Sequence, residues 1–103
     1  MSRFVAQRDW QQFHSPKNLA MGLAVEAAEL MELFQWMDLK ESHRIAQDPV
    51  QLKKIRDEMA DVLSYLLCLA DVANVDLTQA FHDKMKANHE KYPAQKYRGK
   101  YKL

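Results

Sequence analysis

The chain has 103 residues, 15 Lys+Arg against 14 Asp+Glu, a net charge of +1 and 48% hydrophobic side chains, enough apolar material for one small folded domain spanning 1–103. These figures exclude a multidomain enzyme and a charge-driven disordered tail. Two glycines and three prolines leave few places for tight turns, so the expected class is all-α. The single cysteine, Cys68, rules out an internal disulfide framework; set in Leu66-Leu67-Cys68-Leu69, it reads as a core thiol of a protein from a reducing compartment. No window approaches the roughly 18 apolar residues of a membrane span, and MSRFVAQRDW lacks a signal-peptide core, so a cytoplasmic location is expected.

Phe4, Val5, Trp10 and Phe13 predict a short amphipathic helix over 3–14. Ser15-Pro16 then supplies a cap and a pre-set first turn for a second helix running to about Met37. On it, Leu19, Leu30, Leu33 and Met37 share a narrow sector at 100° per residue, and Glu26 lies in the middle of that sector. The polar stretch 38–48 reads as a loop with at most a helical turn. Asp48-Pro49 opens a third helix, to about Ala73, with Ile55, Met59, Val62, Leu66 and Leu69 on one side. Beyond Asp61 this helix is apolar nearly all round, so other helices or a second subunit must cover it. Asp76 caps a fourth helix carrying Leu77, Phe81, Met85 and Asn88 as far as Pro93. A basic tail follows over about 92–103. The expected architecture is bundle-like, with four helices, and a homo-oligomer would cover the apolar surface that a domain this small leaves open.

Glu26 and Glu29 on the second helix, and Glu58 and Asp61 on the third, form two i, i+3 carboxylate pairs that border apolar stripes. A carboxylate centred on such a stripe costs several kcal/mol unless a cation or donors meet it. If the helices pack through these stripes, the four acids converge and need a cation, and all-oxygen ligation suits Mg²⁺, with Mn²⁺ as a substitute. A di-iron bundle would require Glu-x-x-His pairs, which His14, His43, His82 and His89 do not form. Magnesium on carboxylates keeps positions open for phosphate oxygens, so a phosphorylated substrate is implied. Glu32, Asp57 and Asp71 read as surface or supporting acids, and Glu32 is placed to orient a water.

The segments QRDWQQFHSPKNLAMGLAVEAAELMELFQW, DEMADVLSYLLCLAD and VDLTQAFHDKMKANHEKYP closely resemble the MazG-like all-α nucleotide pyrophosphohydrolases, in particular the dCTP pyrophosphatase branch. The resemblance runs from about Phe4 to Tyr101. It implies hydrolysis of a nucleoside triphosphate, dCTP or a modified dCTP, to monophosphate and pyrophosphate, with Mg²⁺ on Glu26, Glu29, Glu58 and Asp61. It also implies a homodimer or homotetramer in which two subunits build each site. The nucleoside pocket of that branch matches Trp10, His14, Asn18, Trp36 and Tyr65, and its phosphate and sugar contacts match Lys84 and Asn88. Read as residues alone, Trp10 and Trp36 serve equally as core or interface aromatics, His14 as a helix-end residue, and Lys84 with Asn88 as a snorkelling lysine and a terminal asparagine. The chain departs from the broader family at Val25-Glu26, where consecutive glutamates are common, and from the branch at its N-terminus, where further chain carries a histidine. The rival reading is a non-enzymatic helical interaction module whose basic Tyr/Lys tail binds RNA or an acidic partner; under the enzymatic reading no nucleic-acid polymer is a partner.

Overall fold

The computed structural model describes residues 2–8 and 14–99. Among these residues lie six α-helices, α1 (Ser2–Gln7), α2 (Pro16–Glu32), α3 (Leu39–Arg44), α4 (Pro49–Val72), α5 (Leu77–Lys91) and α6 (Ala94–Tyr97), and a 3₁₀ turn at Ile45–Gln47. No strand occurs among the described residues, and the class is all-α as expected.

The helix starts follow from side-chain chemistry. Ser15 Oγ accepts the Asn18 backbone N–H at 3.0 Å, and Pro16 occupies the first turn of α2. Asp48 accepts from the N–H groups of Val50 and Gln51 ahead of Pro49, and Asp76 accepts from that of Gln79. Each cap satisfies donors that the helix itself leaves without partners. Asn74, at φ 55°, takes the left-handed conformation that closes α4, one asparagine tolerates.

Two boundaries differ from expectation. The second helix ends at Glu32 rather than Met37, because its last carbonyls are taken by tighter bonds, from Leu33 N–H to Leu30 and from Phe34 N–H to Met31. The stretch 38–48 is more ordered than a loop: Asp38 accepts the Glu41 N–H at 2.7 Å and starts α3, and the 3₁₀ turn buries Ile45. A further short helix, α6, lies in what reads from sequence as an irregular tail.

The described residues fall into two compact units, one ending at Ala73 and one beginning at Asn74. In the first, α2 packs along α4, and the 3₁₀ turn rests on α4. Val5, Leu19 and Cys68 form the buried cluster, with Tyr65 and Leu69 against it. Leu19 is 1% exposed, which ties α1, α2 and α4 into one apolar centre. Gly22 permits the close approach of α2: a Cβ there would sit 2.8 Å from Cδ1 and Cζ of Tyr65 and nearer still to Cε1. The second unit holds α5 and α6, with Leu77 and Asn88 half-buried and Phe81 and Met85 exposed.

The apolar face predicted for the third helix is only partly covered. Ile55, Val62, Leu66 and Leu69 are half-buried, whereas Met59 is 57% exposed. Met59, Leu63 and Leu67 recur at every fourth residue, an exposed apolar stripe on the side of α4 away from Asp61. No helix among the described residues is long and apolar enough to cross a membrane.

Candidate functional site

The packing of α2 on α4 sets Glu26 opposite Glu58 and Asp61. One carboxylate oxygen from each of these three lies within 4.8 Å of the others. Glu26 and Glu58 are half-buried, as their places beside the apolar stripes require, while Asp61 and Glu29 are more open. Glu29 lies one turn beyond Glu26 on α2, and its carboxyl is among the neighbours that raise both Glu26 and Glu58. The four acids that the sequence singles out are therefore neighbours, with Glu26, Glu58 and Asp61 as the tight group.

Their electrostatics are those of a site awaiting positive charge. Burial first, then the neighbouring carboxyls of Glu29, Asp61 and Glu58, push Glu26 up from 4.5 to about 7. Burial and the charges of Glu29 and Asp61 likewise raise Glu58. Oε2 of Glu26 and Oε2 of Glu58 are shielded from solvent without a hydrogen-bond partner among the described residues. A buried carboxylate oxygen without a donor is costly, and a hard divalent cation satisfies two such oxygens at once. The all-oxygen donor set fits that ion.

Adjoining this cluster is a cavity of about 360 Å³, lined by Phe4, Val5, His14, Asp61, Ser64, Tyr65 and Cys68. Asp61 belongs to both the cluster and the cavity wall, so the two are continuous. The distribution along the wall is uneven: carboxylates stand at one end, and Val5, Tyr65 and Cys68 belong to the apolar centre of the unit. Burial raises the Cys68 thiol, which keeps it protonated and inert, a core thiol as the sequence indicates.

Of the residues matched to a nucleoside pocket, His14 and Tyr65 line this cavity. Asn18 lies in the first turn of α2, its N–H held by Ser15. Trp36 is 89% exposed in the turn after α2 and does not line the cavity. Lys84 and Asn88 sit one turn apart on α5 in the second unit. Trp10 lies outside the described residues, as do Lys100, Tyr101 and Lys102 of the basic tail. Sequence reasoning missed Phe4, Val5, Ser64 and Cys68 as cavity residues. The i, i+3, i+4, i+7 run Asp61, Ser64, Tyr65, Cys68 was the available signal, since it puts all four on one face of α4.

Comparison with known proteins agrees with this arrangement. The sequence profile of the MazG-like family matches residues 22–102. The dCTP pyrophosphatase 1 of Mus musculus is 44% identical over 98 residues, covering 95% of this chain and 58% of that protein. The Homo sapiens dCTP pyrophosphatase 1 is 43% identical over 93 residues, 90% of this chain and 55% of that protein. The chain thus spans somewhat over half the length of the curated relatives it matches. A crystal structure of a pyrophosphatase from Archaeoglobus fulgidus superposes with a TM-score of 0.83 at 40% identity, covering 89% of this chain and 84% of that one. With the two acidic helices inside the matched region, Glu26 and Glu29 on one and Glu58 and Asp61 on the next, the chain belongs to the MazG-like family.

Proposed function

We propose that this chain is a nucleoside triphosphate pyrophosphohydrolase that acts on dCTP or a modified dCTP and releases the monophosphate and pyrophosphate. The observation that carries the reading is the continuity, through Asp61, of a crowded carboxylate cluster with a partly apolar cavity. Polyphosphate binding calls for the first and a nucleoside for the second. The names of the relatives, dCTP pyrophosphatase and pyrophosphatase, support the same chemistry.

Glu26, Glu29, Glu58 and Asp61 would hold Mg²⁺, which when bound would neutralise phosphate charge and acidify a water molecule. The proton lost by the water that attacks the α-phosphorus passes to a carboxylate of this set or to Glu32, at the end of α2. His14 and Tyr65 flank the nucleoside, while the resemblance alone assigns Lys84 and Asn88 of α5 to phosphate and sugar. Asn18, beside the cap of α2, and Trp10 complete the set that meets the nucleoside.

Trp36 points to a second copy. The 17 residues of α2 span about 25 Å, with the cavity residue His14 before one end and Trp36 beyond the other. The resemblance gives Trp36 a nucleoside contact, and this separation supports the reading that it stacks on the nucleoside held by a partner chain, in a homodimer or homotetramer. The exposed stripe of Met59, Leu63 and Leu67 provides apolar surface for that association.

Incubation of the purified protein with Mg²⁺ and each common nucleoside triphosphate tests the activity. Monophosphate and pyrophosphate are expected, with dCTP the best of the set. Diphosphate with orthophosphate would place cleavage at the wrong bond, and no turnover with any nucleotide would leave the acids as surface decoration.

A further inference from the structure

Asp61, Ser64, Tyr65 and Cys68 present one face of α4 to the cavity. Along the helix axis Ser64 stands about 4.5 Å beyond Asp61, and Cys68 about 10.5 Å beyond it. Ser64 Oγ lies 2.9 Å from the backbone carbonyl of Ala60, to which it donates its only proton. The lone pairs of that oxygen are left for the cavity, so Ser64 can accept a hydrogen bond there but has no proton left to give.

The nucleotide reading above sets the order in which a substrate runs along this wall. Phosphates lie at the Asp61 end, beside the acidic cluster. The sugar, joined to the α-phosphate through O5′ and C5′, falls at the level of Ser64, and the base falls toward Cys68. In a deoxynucleotide the 3′-hydroxyl is the only donor the sugar carries. We infer that Ser64 is a specificity-determining residue of this cavity, its oxygen accepting a hydrogen bond from the sugar 3′-hydroxyl of the bound nucleotide; the inference rests on the function proposed above.

The physical basis is the asymmetry between a satisfied and an abandoned acceptor. A nucleoside entering among Phe4, Val5, Tyr65 and Cys68 strips water from the Ser64 oxygen. A sugar with a 3′-hydroxyl replaces that water, whereas one without it leaves a desolvated acceptor unpaired. Sites built around such a bond reject the analogue that lacks it more strongly than the bond alone would suggest.

The test compares the best deoxynucleoside triphosphate with its 2′,3′-dideoxy counterpart on the wild-type protein and on Ser64→Ala. The wild type is expected to lose about tenfold in kcat/KM on the dideoxy nucleotide, chiefly through KM. Ser64→Ala should bring that ratio to within about twofold, with an unchanged melting temperature, because the acceptor is gone for both nucleotides. Ser64→Thr, which keeps the hydroxyl, should retain the discrimination. A wild type indifferent to the 3′-hydroxyl overturns the inference without any variant, as does a Ser64→Ala protein with the wild-type ratio. Both results would come from an active enzyme and leave the proposed function standing. Absence of turnover on every triphosphate would remove the inference together with the function beneath it.

Discussion

Glu26 shows how one residue can oppose folding and serve a site. Its carboxyl lies at about 7 rather than 4.5, so the folded chain binds this proton more tightly than the unfolded chain does. The resulting stability is complete below about pH 4.5 and is lost as pH rises through about 7. Glu58 contributes in the same direction, and the groups facing Glu26 are Glu29 on its own helix and Glu58 and Asp61 across from it. Metal-free protein should therefore melt a few degrees lower at about pH 8 than at about pH 5.5. Comparison with Glu26→Gln isolates the effect from histidine titration, since the variant should lose most of this pH dependence. Added Mg²⁺ should recover melting temperature at the higher pH in the wild type. An identical pH profile in both proteins would contradict the role given to burial and carboxylate crowding. The acids were legible before any coordinates because an ionisable group centred on an apolar stripe is expensive. Ser64 was not, because its role depends on where its proton goes, and that is set by the backbone of α4 rather than by composition.

At the scale of the element, α4 does three things with two faces. One face carries Glu58 and Asp61 against α2 and, with Asp61 shared, Ser64, Tyr65 and Cys68 along the cavity; the opposite face exposes Met59, Leu63 and Leu67. Its limits were readable from Asp48-Pro49 and from the Asn74 break, both local signals. The end of α2 was not, because the apolar spacing of Leu33 and Met37 continues past the point where the chain turns, and Asp38 caps a new helix there. Met59 was assigned to the covered side on spacing alone, but its exposure shows that one helical period admits two apolar faces. The outer face yields a direct prediction. Leu63→Glu should lower the mass found by sedimentation to that of a smaller assembly while helicity is retained, since a charge buried in an apolar contact costs several kcal/mol. An unchanged mass would mean that this stripe is not the contact between copies.

At the scale of the molecule, α1, α2 and α4 share a buried centre made of few residues, Val5, Leu19 and Cys68, and beside it lie the acidic cluster and the cavity. The all-α class was legible from glycine and proline scarcity, and the convergence of the acids from two helical repeats. The cavity was not, since it arises only when α1 closes over α4 beside His14. The central claim is that Glu26, Glu58 and Asp61, with Glu29 beside them, hold a divalent cation. It is tested most directly by titrating the metal-free protein with Mn²⁺ and following free Mn²⁺ by electron paramagnetic resonance. The account predicts saturable binding that Mg²⁺ displaces and that Glu26→Gln and Asp61→Asn each weaken at least tenfold without loss of helicity. Binding of equal strength in the wild type and both variants, or none in the wild type, would contradict it.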